Sequence, residues 1–90
     1  MEEKFLAALA ANREKAARLG VRIRPVADMT QAKRMLSGSR TSDGFGELAD
    51  QGKLELTLEA LAVDKRFTHL FTDDEANTAL ERLLGAGYRF

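Results

Sequence analysis

Apolar residues recur along this 90-residue chain at the spacing of a helix face, and glycine and proline cut that pattern into short pieces. Only one piece is long. Over residues 2–19, Phe5, Leu9, Asn12, Ala16 and Leu19 fall on one stripe, Ala fills most of the remainder, and Gly20 supplies the stop. The VRIRPV that follows alternates apolar and basic residues with a period of two. Pro25 bars a helix interior there, so residues 21–26 are expected to be extended. A second, short helix is expected over residues 29–37. Asp28 is its N-cap, Gly38 its stop, and Met29, Ala32, Met35 and Leu36 its apolar face. FGELAD makes a further helical turn closed by Gly52.

The second half reads less evenly. In KLELTLEALAV, residues 53–63, Leu54, Leu56 and Leu58 alternate like a strand, whereas Leu54, Leu58, Leu61 and Ala62 fit a helix. The helical spacing continues past Leu58, which favours a helix from about residue 54. Asp64, Lys65 and Arg66 mark an end or a bend. Phe67, Leu70 and Phe71 add a turn with a large aromatic contribution to the core. Thr72 and Glu75 form a capping box that starts the last helix, with Asp73 and Asp74 beside its N-terminal dipole. Its expected buried stripe is Ala76, Ala79, Leu80, Leu83 and Leu84, and Gly85 or Gly87 ends it. A minor two-stranded pairing of residues 21–24 with 88–90 is suggested by the alternation in Tyr88, Arg89 and Phe90. The expected fold is mainly α: one small domain over residues 1–90, built from four or five helices.

Composition fits that fold. An apolar fraction of 44% supports one modest core, and a domain of this size is often supplemented by dimerisation. With no Cys there is neither a disulfide framework nor a thiolate metal site. No apolar run approaches the roughly 18 residues of a membrane span. The N-terminus opens on Glu2 and Glu3 rather than on basic residues. The expectation is a soluble, cytoplasmic protein.

The formal net charge of zero conceals an asymmetry. Residues 1–40 carry nine basic against four acidic side chains, a net +5; residues 41–90 carry five against ten, a net −5. The basic cluster is the strongest functional signal: Arg13, Arg18, Arg22, Arg24, Lys33, Arg34 and Arg40 are the candidate partner-binding residues. Such a cluster suits phosphates, an acidic protein surface, or the acidic half of the same chain within one molecule or between two. No aromatics interleave with it, and the sequence pI of about 6.6 falls short of the basic character usual in nucleic-acid-binding domains. KAARLGV and MTQAKRMLSG have the outline of a helix-turn-helix, but RIRPVAD separates them, with a proline inside it, where a 3–4-residue turn is required.

Sites for chemistry are scarce. In SGSRTSDGFGELA, Gly44, Gly46 and Ala49 match a dinucleotide fingerprint, and Asp64 lies 20 residues after Gly44. That fingerprint must follow a buried strand, and SGSRTSD makes none. The stretch reads instead as a connector whose Phe45 anchors it to the core, with Ser42 or Asp43 available as a cap and with scope for contacting a partner. His69, the only histidine, has no Cys to serve and reads as a surface or core residue. Asp73, Asp74 and Glu75 are explained by the helix dipole rather than by a cation. The expectation is a small helical interaction or regulatory module, not an enzyme, with no cofactor, metal or small-molecule substrate. It would bind a protein partner or itself; the alternative is a nucleic-acid-binding accessory protein using residues 13–40.

Overall fold

The computed structural model describes residues 1–38 and 40–88. Five α-helices follow one another: α1 (Glu2–Arg18), α2 (Met29–Ser37), α3 (Phe45–Asp50), α4 (Leu58–Ala62) and α5 (Asp73–Gly85). Single 3-10 turns at Leu54–Leu56 and Thr68–Leu70 flank α4. The mainly α class expected from the sequence is observed, and no strand occurs among the described residues. Residues 21–27 form neither helix nor strand and pair with no described residue, and residues 89 and 90 of the suggested pairing lie outside the described residues. Among the described residues no helix is long and apolar enough to cross a membrane.

The helix ends follow local chemistry. Asp28 caps α2 by accepting from the Gln31 N–H at 2.9 Å. At α5 the capping box is complete: Thr72 Oγ1 accepts from the Glu75 N–H, and Glu75 Oε1 accepts from the Thr72 N–H at 2.8 Å. Helix α1 ends in a Schellman reversal. Gly20, at φ +83°, lets the Val21 N–H reach the Ala16 carbonyl and the Gly20 N–H reach the Ala17 carbonyl. The same pair of bonds closes α3 and α5. The expected continuous helix from residue 54 is interrupted at Thr57. Its hydroxyl donates to the Leu54 carbonyl at 2.7 Å and accepts from the Ala60 N–H, closing one turn and capping the next.

Helix α5 packs mainly on α4 and α2, while α1 crosses α4 and the turn before it. The largest core cluster joins Phe5 and Leu9 of α1, Met29, Ala32 and Leu36 of α2, Leu58, Leu61 and Ala62 of α4, and Phe67, Phe71 and Ala79. Phe5 is fully buried and takes the edges of Phe67 and Phe71 at centroid distances of 5.4 and 5.2 Å. A second cluster, Ala16, Val21, Leu48 and Leu56, fixes the start of the 21–27 segment. Two stripe assignments differ from the sequence reading. Leu19, the C-cap of α1, is 38% exposed, and Leu84 is 56% exposed, because α5 is covered through Ala79 and Leu83 and its flank faces outward.

Candidate partner-binding face

After Gly20 the chain turns back, and residues 21–27, with Val21 buried and Ile23 and Val26 half-buried, run between α1 on one side and α2 with the 40–43 loop on the other. Grooves follow on both sides. Toward α1 the walls are Leu6, Leu9, Ala10 and Arg13, then Ala17 and Arg22, with Ile23, Arg24 and Pro25 from the segment itself. Toward α2 an open depression of about 420 Å³ is lined by Arg24, Arg34, Met35, Arg40, Thr41 and Asp43, among others. It adjoins another beneath Pro25, Val26, Gln31 and Met35. Arg24 borders all four.

Of the seven basic residues singled out in the sequence, five therefore line these grooves: Arg13, Arg22, Arg24, Arg34 and Arg40. Arg18 and Lys33 do not. Lys33 instead reaches toward Glu75 at 3.9 Å. Arg24 is ion-paired: its Nε and Nη2 donate to the two Asp43 oxygens at 2.8 and 3.2 Å, and its backbone N–H also donates to Oδ2. Those hydrogen bonds from Arg24 hold the Asp43 carboxyl below the usual carboxylate range, and they raise the Arg24 guanidinium in turn. Arg13, Arg18, Arg22, Arg34 and Arg40 form no ion pair among the described residues. The Nε of Arg13 is enclosed and has no hydrogen-bond partner, the one such side-chain atom among them.

The wall formed by the 40–43 loop is set by a buried polar network that the sequence reading missed. Glu59 is fully buried on α4. It accepts from the Ser42 N–H at 2.9 Å, from the Ser42 hydroxyl at 2.6 Å and from Arg82 Nη1 at 3.2 Å. Arg82, on α5, also donates to the Met35 carbonyl at 3.2 Å and the Gly38 carbonyl at 2.7 Å. One carboxylate and one guanidinium thus bind the end of α2 and the loop to α4 and α5. Ser42, read as a cap for α3, serves Glu59 instead; Gly44 occupies the cap position with no side-chain bond. Phe45 is buried, as the anchor reading expected.

Gly44 explains the glycine-rich motif. Its φ is +74°, and a Cβ there would lie 2.6 Å from Val21 Cγ1 and 3.2 Å from Ile23 Cγ1. The 21–27 segment and the loop meet too closely for any side chain. The motif follows a turn, not a strand, so the dinucleotide geometry is not formed. His69 is exposed, and no group of acids or histidines among the described residues could hold a metal ion.

The chain matches no family model, no curated protein and no solved structure.

Proposed function

We propose that this chain is a protein-interaction module that holds an extended acidic segment of a partner protein in the grooves beside residues 21–27. One observation carries the reading. Four arginines that form no ion pair among the described residues, Arg13, Arg22, Arg34 and Arg40, border a floor of Leu6, Leu9, Ile23, Val26 and Met35. A chain alternating acidic and apolar residues complements both. Residues 21–27 form neither helix nor strand, and the N–H groups of Arg22, Ile23 and Val26 make no hydrogen bond among the described residues. Strand-like addition of a partner backbone satisfies such groups. No aromatic residue among the described residues lines these grooves and Asp43 stands among the arginines, which favours a peptide over a nucleic-acid strand.

The test is fluorescence anisotropy with a labelled peptide alternating Asp and Leu. Binding should weaken as salt rises, and Arg22→Ala with Arg34→Ala should remove it while the melting temperature stays put. No binding at low salt sinks the reading. Tighter binding to duplex DNA, with a log–log salt slope of about 0.9 per phosphate contact, would put nucleic acid in its place.

A further inference from the structure

The depression between α2 and the 40–43 loop differs from the rest of the face. Three guanidinium-bearing residues, Arg24, Arg34 and Arg40, converge on it with the exposed Thr41, and one carboxylate, Asp43, is already inside. Both Asp43 oxygens are engaged by Arg24, while Arg24 Nη1, Arg34 and Arg40 have no acceptor among the described residues. We infer that this pocket is a phosphoryl subsite, which reads a phosphorylated Ser or Thr in the acidic segment of the partner. The inference rests on the interaction reading above and names its recognition element.

A partner carboxylate brings one charge and two acceptor oxygens, so it can engage only part of the donor set of Arg34, Arg40 and Arg24 Nη1. A phosphate monoester carries about −1.5 to −2 charge at neutral pH and offers three acceptor oxygens. It can take Arg34, Arg40 and the unused Arg24 Nη1 together without evicting Asp43, and planar guanidinium forks match its oxygens. The walls are held for this purpose from behind. Arg82 grips the carbonyls of Met35 and Gly38, and Glu59 grips Ser42, so the end of α2 and the loop keep their spacing when the pocket is empty. Asp43 also marks the pocket as local: it repels a continuous run of phosphates but tolerates one group placed beside it.

The experiment compares three otherwise identical labelled peptides alternating Asp and Leu, with phosphoserine, Ser or Glu at the central position. Expected is a gain of about tenfold or more for phosphoserine over both others. The gain should shrink as pH falls below about 6, where the phosphate takes its second proton. In Arg34→Ala with Arg40→Ala, the ratio between phosphoserine and Ser peptides should fall toward one. Equal affinity for all three peptides overturns the phosphoryl subsite and leaves the acidic-segment reading standing. No binding of any of them overturns both. Displacement of the phosphopeptide by a lower concentration of single-stranded DNA than of unlabelled phosphopeptide overturns the subsite in favour of a nucleic-acid phosphate.

Discussion

The 40–43 loop is tied down twice, by the same chemistry in two surroundings. On its inner side Ser42 is held by Glu59, whose side chain is fully buried and which pairs with a guanidinium only 10% exposed. On its outer side Asp43 is held by Arg24, whose side chain is 86% exposed. Both ties include a charge-assisted pair and a bond to a backbone N–H. What separates them is water. At the outer tie solvent screens the pair and offers either partner an alternative, so the net contribution is small. At the inner tie water is largely excluded, and loss of one charge leaves the other buried without a counter-charge. The inner tie builds the wall of the face; the outer one holds Asp43 inside the pocket at little net gain in stability.

Four variants test that contrast. The largest effect is expected for Glu59→Ala, which leaves the Arg82 charge unpaired and the Ser42 N–H and hydroxyl without their acceptor. Urea denaturation should show a loss of roughly 3–5 kcal/mol. Replacing both partners, Glu59→Leu with Arg82→Leu, should recover only part of this, because Ser42 and the Met35 and Gly38 carbonyls stay unpaired. A Glu59→Ala cost no larger than that of an Asp43 variant would break the distinction by burial. Next comes Gly44→Ala, where a left-handed backbone and contact with Val21 combine. A loss of roughly 2 kcal/mol or more is expected, read in the same denaturation assay. Retention of full stability would mean that the segment and the loop are not held in close contact.

Smallest is Asp43→Asn. At neutral pH its melting temperature should stay near that of the unaltered chain. The sign of its pH dependence is fixed, since the folded Asp43 carboxyl lies below its ordinary value. The stabilisation it supplies is therefore present above the usual carboxylate range and is lost as pH falls through its lowered value. Thermal melts from pH 6 downward should show the unaltered chain losing a portion of acid-sensitive stability that Asp43→Asn lacks.

Much of the fold was legible because it is local. Asp28, the Thr72 and Glu75 box, and the glycine stops act within one helical turn, so residue order alone displays them. Thr57 was not legible: a threonine within a leucine-rich run is equally compatible with a helix interior, and only its bonds to Leu54 and Ala60 show the break. The arginines of the face were visible as a cluster, but their grouping was not. Arg18 lies closer in sequence to Arg22 than Arg34 does, yet the reversal at Gly20 brings Arg34 and Arg40 to the groove and leaves Arg18 out. Glu59 and Arg82 were missed because a lone charge on a short amphipathic helix reads as a solvated face. The available signal was that Arg82 falls three residues after Ala79, on the buried side of α5.

The reversal at Gly20 also gives the molecule a built-in reporter. The amides of Arg22, Ile23 and Val26 have no acceptor among the described residues, so they exchange their protons with solvent while every helix stays intact. A backbone laid alongside them would slow that exchange at these positions and nowhere in the core. Occupancy of the face can thus be timed residue by residue in deuterated water, before any partner has been identified.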